Sequence, residues 1–471
     1  MKVNASIFRE YDIRGIAATD LSAEFAENLG LAYARFLREQ LPQQKQFNVS
    51  VGRDCRLTGD LLANALILGM RKGGLNVVSI GVCPTPLTYF SLFELSLDGG
   101  IMVTGSHNAS EYNGFKICVG RSTIHGEQIQ VLRKYMEQGT PPAAEMGSFR
   151  ETNLIPEYID YVAARFPGLQ KKKIVLDAGN GTASTVAPEL FKRLGADVVP
   201  LYCELDGRFP NHHPDPTVPE NLQDLIAAVK REKADFGVGF DGDSDRIGLV
   251  DENGRIVYGD ELMIIFSRDI LKSIPGSTII SEVKCSHRLY EDIAKHGGNP
   301  IMWKTGHSLI KSKMKETKAA LAGEMSGHIF FADRYFGFDD AIYAAVRVFE
   351  ISSKTNQKIS SLISDLPQVV ATPEIRVDCE EDRKFALVAE TKRLLSQSFK
   401  TIDIDGVRVN FTGGWGLVRA SNTSPVLVLR FEAPDEAKMI EFKTTVYTAL
   451  NTAAKTVGHP AISQASGAHG H

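Results

Sequence analysis

Residues 47–81 contain FNVSVGRD (47–54), then LLANALILGMRKGG (61–74), then LNVVSIG (75–81). The first and last runs are short, apolar and rich in valine, as strands are. Between them Leu62, Leu66, Ile67 and Met70 recur at helical spacing, and two glycines close the run. Strand, helix, strand in that order is βαβ grammar. It calls for a mostly parallel sheet covered by helices.

The same grammar appears twice more. KKKIVLDAGNG (171–181) leads to VAPELFKRLG (186–195) and ADVVPLY (196–202). STIISEVKCS (277–286) leads to RLYEDIAKHGG (288–298) and NPIMWKTG (299–306). Three α/β units in tandem fit this better than one very large sheet. The last hundred or so residues differ. EIRVDC (374–379) reads as a strand and DRKFALVAETKRLLSQS (382–398) as a helix with Asp382 as N-cap. Residues 405–421 and 424–433 read as hairpin strands, and 435–455 as a closing helix. The fold class is therefore α/β: three tandem related domains with mixed, mostly parallel sheets, plus a smaller α+β C-terminal domain. Boundaries are expected at 1–150, 151–252, 253–367 and 368–471. The tail SQASGAHGH (463–471) is expected to be disordered.

Composition narrows the function classes. The chain has 471 residues, 43% hydrophobic and 23% charged, with a net charge of −4. Nothing in that balance points to nucleic acid or to an anionic membrane. The N-terminal MKVNASIFREYDIRG has charge where a signal peptide needs an apolar core. No apolar run approaches the roughly 20 residues of a membrane span. The cysteines Cys55, Cys83, Cys118, Cys203, Cys285 and Cys379 form no CxxC pair, so free thiols in a reducing cytoplasm are expected.

Four stretches carry chemistry. In DGDSDR (241–246), Asp241, Asp243 and Asp245 repeat at every second position between two apolar runs. Carboxylates packed so closely repel one another, and a hard divalent cation relieves that. Glu252 falls where a calcium loop has its last ligand, but Arg246 stands where that loop needs glycine. Mg²⁺ shared with a substrate phosphate suits the site better. The overlapping GVGFDG (237–242) matches a dinucleotide fingerprint, but no helix follows it. In GEMSGH (323–328), an extended loop would turn Glu324, Ser326 and His328 to one side, suited to adjacent sugar hydroxyls. In RASNTSP (419–425), Arg419 offers a donor fork suited to phosphate, with Ser421, Asn422 and Thr423 beside it. TGSHNAS (104–110) places Ser106 in a polar loop after an apolar strand. It is not a hydrolase elbow. Neighbouring side chains of an extended chain diverge, so His107 is not expected to meet Ser106. A phosphoryl group carried on Ser106 could complete the coordination of a metal held by the three aspartates.

Together these motifs resemble the α-D-phosphohexomutase family, in its phosphomannomutase/phosphoglucomutase branch. The resemblance runs from FREYDIRG (8–15) through TGSHNASEYNGFK (104–116), DGDSDR, KTGHS (304–308) and GEMSGH to RASNTSP. It implies four domains around a central cleft and conversion of hexose 1-phosphates to 6-phosphates, for mannose and glucose, through a 1,6-bisphosphate. Ser106 would be the phosphoserine. Asp241, Asp243 and Asp245 would bind Mg²⁺, with a phosphoserine oxygen as a further ligand. Glu324 and Ser326 would hold sugar hydroxyls, and Arg419, Ser421, Asn422 and Thr423 the phosphate not undergoing transfer. Tyr11, Arg14, Lys116, Arg246, Lys284, His307 and His328 would line the cleft. Lys116, His107 and His328 are the acid–base candidates, unranked. Glucose 1,6-bisphosphate would be an activator, and the chain a cytoplasmic monomer. The rival readings are a phosphoglucosamine mutase, a non-catalytic sugar-phosphate and metal-binding protein, and a Mg²⁺ phosphatase.

Overall fold

The computed structural model describes residues 3–422 and 424–463. Thr423 and the tail from Gln464 onward, on which two of the expectations above fall, lie outside the described residues.

The stretch that opened the reading forms strand Asn48–Arg53, helix Gly59–Lys72 and strand Asn76–Val82, and the two strands pair in parallel. Leu62, Leu66, Ile67 and Met70 form the buried face of the helix. Helix Ala23–Gln40 lies across that helix at unusually close range. A Cβ on Gly69 would stand 1.9 Å from the Glu27 carbonyl oxygen, and one on Gly30 2.4 Å from that of Leu66. Only glycine allows this approach.

The first sheet runs in the order Ile13–Ile16, Tyr112–Val119, Gly99–Val103, Asn48–Arg53, Asn76–Val82, Phe149–Glu151. The last four of these pair in parallel, while Tyr112–Val119 runs antiparallel to both its neighbours. The second sheet repeats the plan. Asp197–Leu201, Lys173–Asp177 and Phe236–Phe240 are parallel, and Ile247–Asp251 returns antiparallel. So does the third: Asn299–Trp303, Thr278–Glu282 and Leu321–Gly323 are parallel, and Ile329–Phe331 returns antiparallel. The fourth sheet is antiparallel throughout and is covered by helices Lys384–Leu395 and Glu436–Val457. Three mixed α/β sheets followed by an α+β unit is the expected architecture.

One cap differs from expectation. Helix Lys384–Leu395 is capped by Arg383, with no side-chain cap bond, and not by Asp382. The amides of Arg383 and Lys384 both donate to the Glu380 carbonyl, so the chain starts to turn at Glu380 and Asp382 already lies inside that turn.

One apolar core runs continuously through the first three units, with helix Ala341–Thr355 buried along most of its length within it. The C-terminal unit has a core of its own. All six cysteines are free. No helix among the described residues is long and apolar enough to cross a membrane.

Candidate active site

The repeated plan decides where the polar loops fall. In each α/β unit one loop joins the last parallel strand to its antiparallel neighbour. In the first unit that loop lies between Val103 and Tyr112 and holds Ser106. In the second it lies between Phe240 and Ile247 and holds Asp241, Asp243 and Asp245. In the third it lies between Gly323 and Ile329 and holds Glu324 and His328. All three emerge at the carboxyl ends of parallel strands, where open α/β sheets bind ligands.

Ser106 is buried, and its Oγ donates to Asp241 Oδ2 at 2.9 Å. Its backbone has φ +49°, a left-handed conformation rare in a non-glycine residue. The surroundings hold it there. Asp54 Oδ2 accepts from the Gly105 amide at 3.0 Å and from Thr104 Oγ1 at 2.8 Å. Arg56, fully buried, pairs with Asp54 and donates to the Ser106 carbonyl at 2.8 Å. This curl overturns one expectation. Ser106 Oγ lies 3.2 Å from His107 Nδ1, because the loop is not extended and the two side chains turn to the same side. Burial, then the charges of Arg246, Arg14 and Lys116, pushes His107 well below the usual histidine range.

Asp241, Asp243 and Asp245 are completely buried, with one oxygen from each close enough to share an ion. Asp241 Oδ1 accepts from the amides of Asp245 and Arg246 at 3.0 and 3.1 Å. Asp243 Oδ2 accepts from Lys116 Nζ and Thr85 Oγ1, both at 2.6 Å, and Lys116 also pairs with Asp245. Among the described residues Asp243 Oδ1 and Asp245 Oδ1 accept no hydrogen bond, and His328 Nδ1 lies 3.6 Å from the latter. Two orphaned carboxylate oxygens in a buried cluster are what a cation site needs. Burial, then repulsion from Asp243 and Asp245, pushes Asp241 well up. Burial acts the same way on Asp243, but Lys116 outweighs it and holds that carboxyl down. Glu252 accepts instead from Ser360 Oγ at the far end of the next strand, so the calcium-loop pattern is incidental.

The third loop is a tight turn and not the extended stretch expected. The Gly327 amide donates to the Glu324 carbonyl at 3.0 Å, and Gly327 has φ +84°. Glu324 and His328 therefore face each other across the turn and are buried, with Ser326 half-exposed at its tip. Burial raises the Glu324 carboxyl. Its Oε1 accepts from the Gly306 amide at 2.7 Å, which ties KTGHS to this loop. His307 and His328 stack with ring centroids 5.4 Å apart, and Arg246 Nε donates to His328 Nε2 at 3.1 Å. Arg14 reaches Asn108 in the Ser106 loop.

Tyr11 joins three units through one phenol. It donates to the Thr305 carbonyl at 2.8 Å and accepts from Asn422 at 3.0 Å. Asn422 lies in the loop between strands Gly414–Ala420 and Val426–Ala433, as expected of RASNTSP. Buried Arg419 is held by Asp405 at 3.0 Å, and Lys384 donates to the Ser421 carbonyl at 2.7 Å. Lys284 pairs with Glu374 at 3.1 Å. The expected residues thus gather in two groups. Ser106, His107, Lys116, Arg14, Arg246, His328 and the three aspartates form one. Tyr11, Glu324, Asn422 and the segment around Arg419 form the other, and the KTGHS loop touches both. Sequence reading missed Asp54, Arg56, Thr85, Asp339 and Asp405. Only the polar RDCR (53–56), at the carboxyl end of a strand, gave any signal.

Fold and site together define a protein of the phosphohexomutase class. Comparison with known proteins agrees. The chain matches phosphoglucomutase/phosphomannomutase α/β/α domain I over residues 5–142, domain II over 156–254, domain III over 258–370 and the C-terminal domain over 374–449. It is 48% identical over 441 residues to a phosphomannomutase/phosphoglucomutase of Pseudomonas aeruginosa, covering 93% of this chain and 94% of that one. It is 43% identical over 439 residues to a phosphoglucomutase of Neisseria gonorrhoeae, covering 92% and 94%. A crystal structure of a phosphoglucomutase/phosphomannomutase family protein from Burkholderia thailandensis superposes with a TM-score of 0.90 at 41% identity, covering 96% of this chain and 98% of that one. The chain belongs to the phosphoglucomutase/phosphomannomutase family.

Proposed function

We propose that this chain interconverts hexose 1-phosphates and 6-phosphates, of mannose and of glucose, by way of a phosphorylated Ser106. The observation that carries the reading is the meeting of Ser106 Oγ with Asp241, beside two buried carboxylate oxygens that accept no hydrogen bond. A nucleophile from one unit and an ion cradle from the next converge at a single point.

Asp241, Asp243 and Asp245, with an oxygen on Ser106, would hold Mg²⁺. When bound, the ion neutralises charge on the phosphoryl oxygens. The remaining work falls to the chain. The bond from phosphorus to Ser106 Oγ breaks as one forms to the free hydroxyl oxygen of the hexose monophosphate, whose proton passes to Lys116, His107 or His328. The 1,6-bisphosphate turns around, and its other phosphoryl group returns to Ser106. The transition state is loose, so positioning and positive charge supply most of the catalysis. Lys116, Arg14 and Arg246 bring that charge to the Ser106 loop. Glu324 and Ser326 take sugar hydroxyls. Arg419, Ser421, Asn422 and Thr423 grip the phosphate that is not reacting. Lys284, His307 and Tyr11 close the space between. Glucose 1,6-bisphosphate primes Ser106. We divide the chain at 150, 252 and 367, and read it as a cytoplasmic monomer.

The test is ³¹P NMR of the protein with Mg²⁺, a trace of glucose 1,6-bisphosphate and one sugar phosphate at a time, beside Ser106→Ala. Glucose and mannose 1-phosphates should become 6-phosphates, and the variant should lose nearly all turnover. Conversion of glucosamine 1-phosphate alone would reassign the substrate. Release of inorganic phosphate would make the protein a phosphatase.

A further inference from the structure

Asp243 lies in the loop of the second unit, yet its side chain is held from the first. Its Oδ2 faces three groups of that unit: Lys116 Nζ and Thr85 Oγ1 at 2.6 Å each, and Thr104 Oγ1 at 3.1 Å. Oδ1 of the same carboxylate is buried and accepts no hydrogen bond among the described residues. The two oxygens therefore have different duties. One is satisfied by protein donors, and the other is left for an ion.

The three donors are not equal. Lys116 divides its charge between Asp243 and Asp245, and its flexible stem lets Nζ follow a carboxylate that turns. Thr104 has one hydroxyl proton to give, and Asp54 Oδ2, at 2.8 Å, lies nearer to it than Asp243. Thr85 is better placed than either. It is fully buried as the first residue of helix Thr85–Glu94, and its amide donates to the Asp243 carbonyl at 2.8 Å. Main chain and side chain thus grip the same residue. The helix does not draw on this hydroxyl, because Pro84 holds the cap position. A β-branched side chain on a fixed backbone has little rotamer freedom, so Thr85 Oγ1 sets the direction in which Asp243 Oδ2 points.

We propose that Thr85 is a positioning residue of the ion site. By holding Asp243 Oδ2 it aims Oδ1 into the cluster of Asp241, Asp243 and Asp245, and so sets the affinity for a divalent cation from the neighbouring unit. Carboxylates that ligate metals depend on outer hydrogen bonds of this kind. This role rests on the ion site proposed above and not on the reaction carried out there.

The first test needs no substrate. Mn²⁺ is a hard divalent cation that suits carboxylate oxygens. Its free aquo ion can be counted by electron paramagnetic resonance. In titrations of the full-length protein, Thr85→Val and Thr85→Ala, which lack the hydroxyl, should raise the Mn²⁺ Kd about tenfold or more. Thr85→Ser, which keeps it, should stay within about threefold of wild type. The second test uses glucose 1-phosphate. In Thr85→Val the Mg²⁺ concentration that gives half the maximal rate should rise by the same factor, and saturating Mg²⁺ should restore most of kcat. A merely structural role would lower kcat at every Mg²⁺ concentration. An unchanged Kd in the two hydroxyl-free variants overturns the proposal, and so does a Kd raised as far in Thr85→Ser. A wild type that binds no Mn²⁺ overturns it as well. If Thr85→Val does not fold, Thr85→Ala against Thr85→Ser decides. The expected series of Mn²⁺ affinities, with no turnover of any hexose phosphate by wild type, would sink the mutase reading alone.

Discussion

Asp405 shows how much of the cleft depends on a side chain that touches no substrate. Its Oδ2 accepts from Arg419 Nε at 3.0 Å and from the Thr305 amide at 3.1 Å. The guanidinium is thereby held at Nε, and the C-terminal unit is tied to the loop that holds His307. Removing the carboxylate frees the guanidinium to rotate without removing its charge. Asp405→Ala should therefore raise KM for hexose phosphates by about tenfold, the scale of one charge-assisted hydrogen bond, and change kcat much less. Steady-state kinetics with glucose 1-phosphate tests the split, and an equal fall in kcat would contradict it. Asp340 makes a different prediction. It is buried, accepts from Tyr158 and Tyr335 at 2.8 Å each, and burial pushes its carboxyl up to about 6. The folded state therefore keeps this proton at pH values where the unfolded chain has released it. Its contribution to stability is present below about pH 4 and is lost as pH rises through about 6. Between those limits wild type should lose about 3 kcal/mol relative to Asp340→Asn, in urea denaturation at pH 4 and pH 7.

At the scale of elements, the three hairpin loops explain why distant motifs meet. Each unit repeats one plan, and each places its polar loop at the same point of that plan. The βαβ alternation was legible because periodicity and closing glycines are local features. Asp241, Asp243 and Asp245 were legible because carboxylates so close in sequence stay close in space. The contact between Ser106 and His107 was not. The backbone of Ser106 is bent by Asp54 and Arg56, which arrive from the neighbouring strand and carry no mark of that duty in the sequence. Asp405 was hidden for a related reason, since it acts through Arg419 and through the Thr305 amide of another unit. The turn at Glu324 was misread because alternation was applied to a segment that Gly327 curls. Packing of elements also has a single-residue test. Alanine at Gly69 gains about 1 kcal/mol in helix propensity. Its Cβ would meet the Glu27 backbone 1.9 Å away, and overpacking against backbone costs roughly 3 kcal/mol. Strain wins, so Gly69→Ala should lower the first thermal transition by roughly 2–4 °C for each kcal/mol lost. A raised transition would show that the two helices separate freely.

At the scale of the whole molecule, the continuous core of the first three units and the separate core of the fourth divide the chain into a platform and a cover. Besides the polar contacts of Tyr11 with Asn422, Thr305 with Asp405 and Lys284 with Glu374, the two meet at a small apolar seam. Trp415 is fully buried there with Val283 and Leu417, and its indole donates to Glu432 at 3.0 Å. Arg408, also fully buried, lies 3.7 Å above the Trp415 ring and donates to the carbonyls of Val283 and Cys285, on either side of Lys284. The seam thus sits directly behind a cleft lysine, and a shift of the cover would be felt there. Arg408→Ala would leave two carbonyls without their donor and a void over the indole, at a cost of roughly 2–4 kcal/mol. Both cores are untouched by this change, so the loss should appear as opening of the seam before either core unfolds. Trp303 is the only other tryptophan, and in a Trp303→Phe background Trp415 becomes the sole indole reporter. Acrylamide quenching of that reporter should be weak with Arg408 present. It should strengthen several-fold in Arg408→Ala at temperatures below the first thermal transition, and KM for hexose phosphates should rise with it. Quenching that stays weak until global unfolding would mean that cover and platform move as one body.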